Sequence, residues 1–110
     1  MKVDQKGHTT TIKDTQGNVK LFLEKVTHEH NSFKSQNLIL DITHDKEVTL
    51  KDIKLFSDLS KAHQKGKKSF VIVADGIDFN AVPTKLIVVP SLQEANDIIE
   101  MEEIERDLGF

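Results

Sequence analysis

Asn37-Leu-Ile-Leu-Asp41-Ile42 and Ser69-Phe-Val-Ile-Val73 are the two apolar runs whose reading decides the fold. Each is too short for a helix and apolar on both faces, as strands inside a covered parallel sheet are. Residues 48–65 between them are helix-sized and end at Gly66. Strand, loop, helix, strand is the outcome, because parallel neighbours need a crossover of about a dozen residues or more. Leu40 is expected at the centre of that sheet, fully buried.

Outward from this unit, residues 1–14 alternate weakly around Val3, Thr9, Thr11 and Ile12 and break at Gly7, which predicts two short strands or one hairpin at a sheet edge. Asp14-Thr-Gln-Gly-Asn18 reads as a turn followed by a helix cap. Val19, Phe22, Leu23, Val26, His30 and Phe33 then recur at helical spacing, so an amphipathic helix lying on the sheet is expected. The segment 48–65 has a wider apolar arc, Ile53, Leu55, Phe56, Leu59 and Ala62, opposite a solvated face of Lys51, Lys54, Asp58, Lys61 and Lys65. Residues 75–85, holding Gly76 and Pro83, allow at most a short helix over 79–82. Residues 86–89 are the last strand. Pro90-Ser-Leu-Gln-Glu94 opens the last helix with a capping box, Ser91 bonding the Glu94 amide while the Glu94 carboxylate reaches back.

That last helix changes face. Leu92, Ala95 and Ile99 share one stripe, whereas Met101, Ile104 and Leu108 share another, with Phe110 also in need of cover. From Ser91 onward there are seven acids and one Arg, a net of −6, against a whole-chain net of −3. Either the helix kinks near Glu100, or its second half docks on something else, a partner protein or, weakly, a second copy.

At 110 residues and 37% hydrophobic, the chain is long enough for one domain with a real core. Its acidic balance lacks the basic footprint that nucleic acid would require. Without Cys, a disulfide framework, a thiolate zinc site and a thiol nucleophile are excluded. The start shows no apolar leader and no run approaches a membrane span, so a cytoplasmic protein without membrane contact is the expectation. No G-x-G-x-x-G, P-loop or G-x-S-x-G occurs, which leaves nucleotide binding and serine hydrolysis unsupported.

Candidate chemistry is sparse. His28 and His30 lie two residues apart, on different faces of a helix, whereas a helical zinc pair needs spacing of four. His30 falls on the apolar stripe as a core-rim residue, and His63 sits at a helix boundary with no role required. Asp41, His44 and Asp45 follow the central strand, where open α/β sheets place ligand sites. They are the candidates for a metal-dependent enzyme or a small-molecule binder. The competing reading makes Asp41 a carboxylate that accepts loop amides or favours the nearby helix N-terminus. No cofactor and no metal site is expected, and no residue is assigned a catalytic role.

The order of elements resembles the STAS family, the anti-sigma factor antagonists and related domains of sulfate transporters. The residues that carry it are Leu40-Asp41-Ile42, Lys65-Gly-Lys-Lys68 before Phe70-Val-Ile-Val73, and Ser91-Leu-Gln-Glu-Ala95. The match spans about residues 8–101 of a single domain, 1–110, with 102–110 as an acidic helical extension. It implies a STAS-like α/β fold, a mixed sheet of about five strands with helices packed on it. It also implies a non-catalytic regulatory role through protein–protein contact, the partner being an anti-sigma-factor-like kinase or another regulator. The family's Asp-Ser-Ser-Gly-like phosphorylation motif would fall on Val48-Thr49-Leu50-Lys51, where Thr49 is the one hydroxyl. Thr49, Leu50, Lys51 and Asp52 are therefore the implied partner-binding residues, with Met101, Ile104 and Leu108 of the extension, and Thr49 the possible phosphosite. The chain is also similar to short bacterial chains that carry the label ribonuclease Z, which would make it an accessory module for RNA processing. That enzyme's His-x-His-x-Asp-His zinc motif is approached only by His28-Glu-His30-Asn-Ser-Phe33, without the later ligands.

Overall fold

In the computed structural model, residues 1–109 are described. Five strands form one sheet in sequence order: β1 (Lys2–Lys6), β2 (Thr9–Lys13), β3 (Asn37–Asp41), β4 (Phe70–Val73) and β5 (Val88–Val89). β1 and β2 are an antiparallel hairpin turned at Gly7, whose φ of +61° is a conformation that a side chain resists. Every later pairing, β2–β3, β3–β4 and β4–β5, is parallel. The expected edge position holds for β1, while β2 lies inside the sheet. All five residues of β3 are buried, and Leu40 is fully so, as the apolar run requires. This is an α/β protein with a mixed sheet.

Alternate residues of a strand face opposite ways, and here both sides are covered. On one side Ile12, Leu38, Leu40, Phe70 and Ile72 join Val19, Phe22 and Val26 of α1 (Val19–His28), Ile53 of α2 (Leu50–Lys54) and Leu59 of α3 (Ser57–Lys65). On the other, Ile39, Val71, Val73 and Val89 meet Ala95 and Ile99 of α4 (Leu92–Asp107). The helix start at α1 follows the sequence closely: Asn18 caps it, its Oδ1 accepting from the Leu21 amide at 3.1 Å.

Two helical expectations need correction. The apolar stripe that ran on to Phe33 outlasts its helix: α1 ends at His28, and the chain tightens into a 3-10 turn, His30–Ser32, with Phe33 still packed against the core. Residues 48–65 are two helices instead of one. The Leu55 and Phe56 amides bond the carbonyls of Asp52 and Ile53, three residues back, and this over-tight turn separates α2 from α3. It keeps Ile53, Phe56 and Leu59 on one inward line and turns Leu55 outward, 49% exposed. Ala62, placed on the same arc by periodicity, is also exposed.

The last helix does not kink. α4 runs unbroken from Leu92 to Asp107, capped by Ser91 Oγ accepting from the Glu94 amide at 3.2 Å. The Glu94 carboxylate meets the Ser91 hydroxyl, at 3.4 Å, in place of the expected backbone amide. Phe110 lies outside the described residues. Among those described, no helix is long and apolar enough to cross a membrane.

Candidate functional site

The carboxyl ends of the strands, where a ligand site was sought, are occupied by their own chain. Asp41 is buried, and its Oδ1 accepts from the Thr43 amide at 3.0 Å and the Thr43 hydroxyl at 2.7 Å, an Asx-type turn. Asp45 accepts the Glu47 amide on Oδ1 and the Val19 amide on Oδ2, at 2.9 and 3.2 Å, so it ties the loop to the start of α1. His44 is exposed and lies over Gly17. Asp14 is buried beside them; its Oδ1 accepts from the Gln16 amide, and its Oδ2 has no hydrogen-bond partner among the described residues. Two of the three proposed ligands are thus spent on backbone amides. Among the described residues, no three His, Cys, Asp or Glu side chains converge as metal ligands would.

Thr49 is exposed and stands at the N-cap of α2. Its role there is capping: Thr49 Oγ1 accepts from the Asp52 amide at 3.2 Å, and Asp52 Oδ2 accepts from the Thr49 amide at 3.1 Å. Lys51 is exposed, while Leu50 and Asp52 are half-buried. The box is visible in the sequence as Thr-x-x-Asp, a signal that sequence reading passed over at this position.

Two histidines with no assigned role form a chain. His63, 2% exposed, places Nε2 2.7 Å from the Gln36 carbonyl oxygen, which can only accept. His63 Nε2 therefore carries the proton, and Nδ1 accepts from His30 Nε2–H at 2.8 Å. The His63 ring also packs against Phe70. Burial, with the charges of His30 and Lys68, lowers the His63 pKa below the ordinary 6.5 against the opposing pull of the Gln36 carbonyl. Burial and Lys34 lower that of His30. Both shifts favour the neutral imidazoles, and the pair ties the turn after α1 to α3.

The densest polar arrangement is at the amino ends of the strands. Asn37, 1% exposed, begins β3. Its Oδ1 accepts from the Ser69 amide at 2.9 Å and Arg106 Nη2 at 3.2 Å, and its Nδ2 donates to Glu103 Oε2 at 3.2 Å. Arg106 Nη1 donates to Ser69 Oγ at 3.2 Å, and Glu103 Oε2 lies 3.5 Å from His8 Nδ1. This clasp fastens the second half of α4 to the sheet with polar groups, where apolar stripes could only leave it floating. Its sequence signals were faint: a polar residue opening an apolar strand, and one base in an otherwise acidic tail.

The clasp defines what α4 presents outward. With Ala95, Ile99 and Arg106 turned to the sheet, Met101, Ile104 and Leu108 point away, 61%, 53% and 65% exposed. Glu100, Glu105 and Asp107 beside them are exposed too. The outer face is therefore a two-turn apolar stripe in an acidic frame, its one base withdrawn to the inner side. No family model matches this chain, and no curated protein matches it.

Proposed function

We propose that this chain is a non-catalytic interaction domain, regulatory in the manner of the anti-sigma factor antagonists that its element order resembles, with the outer stripe of α4 as its docking element. One observation carries the reading: three large apolar side chains stay exposed on a helix rigidly anchored through its other face. Isolated exposed apolar residues are ordinary, whereas a contiguous row rimmed by charge marks a contact site. The spacing of 101, 104 and 108 is that of helix anchors read by a groove. The acidic frame selects a partner with basic residues around an apolar furrow. The start of α2, from Thr49 to Asp52, is a second candidate edge; its threonine already serves a cap, which fits constitutive contact better than a phosphorylation switch.

The experiment compares the natural chain with Met101→Ser/Ile104→Ser/Leu108→Ser as baits in lysate of the native cell, both checked for folding. A specific binder on the first and absent from the second, with amide-exchange protection on α4 of the complex, is the expected result. A binder that survives the triple change but is lost from Thr49→Glu would move the docking element to α2 and overturn the assignment to α4.

A further inference from the structure

On the sheet face opposite α4, a groove of about 750 Å³ runs between α3 and residues 83–86. Pro83 and Leu86 give it apolar walls, and Lys61, Lys65 and Lys85 line it with positive charge; Asp58 is its one acid. Leu86 belongs to the core shared with α3, whereas α4 covers the other core and turns the acidic stripe away from it. The two surfaces are complementary in charge, apolar content and length. From Asp58 to Lys65 the groove follows seven helical steps, about 10 Å, and from Met101 to Leu108 the stripe covers seven more, again about 10 Å.

We propose that the acidic stripe of α4 in one copy docks in the lysine-lined groove of a second copy, head to tail. The stripe points outward from a helix whose inner face is fastened to the sheet, so it cannot turn into the groove of its own molecule. Stripe against stripe would set acids against acids, and groove against groove lysines against lysines; only the unlike pairing neutralises both. Three lysines against one acid line the groove, while the last 20 residues carry a net −6. Such a contact is heterologous: each docked copy leaves one stripe and one groove free, so association continues unless the rotation closes a ring. Two helical turns bury far less than a stable interface, so a dissociation constant on the order of 0.1–1 mM is expected. The proposal shares its stripe with the function above but not the external partner; self-docking would hold the stripe until a tighter basic partner displaces it.

The test uses the full chain and two variants altered only at exposed positions, Lys61→Glu/Lys65→Glu and Ile104→Ser/Leu108→Ser, with thermal melts confirming that both stay folded. Sedimentation velocity near ~1 mM protein should show the natural chain growing beyond a dimer at ~50 mM salt and at least about tenfold less associated at ~500 mM, where charges are screened. Each variant alone should be monomeric. Mixed, they should form a 1:1 dimer and nothing larger, because one retains the stripe and the other the groove. A natural chain that stays monomeric throughout would overturn self-docking and leave the external-partner reading standing, even if its groove binds an unrelated acidic peptide. An associating natural chain whose mixed variants stay monomeric would also overturn it, since the contact would then lie elsewhere.

Discussion

On one face of the sheet, three helices press Val19, Phe22, Val26, Ile53, Phe56 and Leu59 into a core continuous with Leu38, Leu40, Phe70 and Ile72. On the other, α4 alone brings Ala95 and Ile99 to Ile39, Val71 and Val73, and adds the clasp of Asn37, Glu103, Arg106 and Ser69. The first face is held by apolar area, roughly 25 cal/mol for each Å² removed from water. The second has less of it and relies on hydrogen bonds, each worth only about 0.5–1.5 kcal/mol net but costly when one partner is removed. A helix held by a few polar groups along one line keeps its far side free. That is how α4 can be both part of the domain and an exposed surface.

The contrast fails first if the apolar face is not the main source of stability. Leu40→Ala should cost about 2–5 kcal/mol in urea unfolding, as for other fully buried leucines. A loss under about 1 kcal/mol would put the centre of the sheet elsewhere.

The clasp is tested by Arg106→Ala, which takes one donor each from the buried Asn37 Oδ1 and Ser69 Oγ. A loss of about 1–3 kcal/mol is expected, equal at every protein concentration because all its groups belong to one molecule. Truncation after Glu100 removes Glu103 as well and should lower thermal stability further. A concentration-dependent loss in either case at micromolar protein, far below the self-docking range of about 0.1–1 mM, would mean that the clasp is made with a second copy.

On the three-helix face, the His30–His63 pair makes stability depend on pH. Both pKa values are lowered in the folded state, chiefly by burial. The unfolded chain therefore binds more protons as pH falls below the ordinary value of 6.5. The stability that comes from keeping the pair neutral is fully present above that value and is lost as pH falls from there through the lowered folded pKa values. Urea unfolding of the natural chain and of His63→Gln across this range should show the slope in the first and its reduction in the second. Equal slopes would remove the pair from the account.

Smaller again is the α2 cap: Thr49→Ala should cost about 1 kcal/mol, the ordinary value for an exposed N-cap. Intact-mass measurement of the protein from its own cell should find no phosphate on Thr49, and a stoichiometric +80 Da species, the mass of one phosphoryl group, would reinstate the switch. Smallest of all is the outer face of α4. Met101→Ser/Ile104→Ser/Leu108→Ser should change stability by no more than about 0.5 kcal/mol per site, as surface positions do. Beside Arg106→Ala, this sets the two sides of one helix against each other, and a large loss would mean that the stripe is covered in the free protein.

Local pattern was enough to place the apolar strands and the buried faces of the helices. Apolar runs of strand length and stripes of helical period state which face a segment buries, and Leu40, Phe22, Val26, Ile99 and the caps at Asn18 and Ser91 are where those patterns put them. It also marked Met101, Ile104 and Leu108 as a stripe separate from the inner one. Contacts between distant residues came from packing alone. Asn37 meets Arg106 across 69 positions and Glu103 across 66, and His30 meets His63 across 33. Periodicity is a local signal: it tells which way a side chain points, and it carries no information about what another element brings opposite it. The break between α2 and α3 was hidden for the same reason, since no Gly or Pro marks a turn that packing tightens within residues 50–65. Asp41 and Asp45 show the limit most plainly. Their place at the strand ends was legible, but whether a carboxylate there awaits a ligand or accepts its neighbours' amides depends on how the loop closes over it.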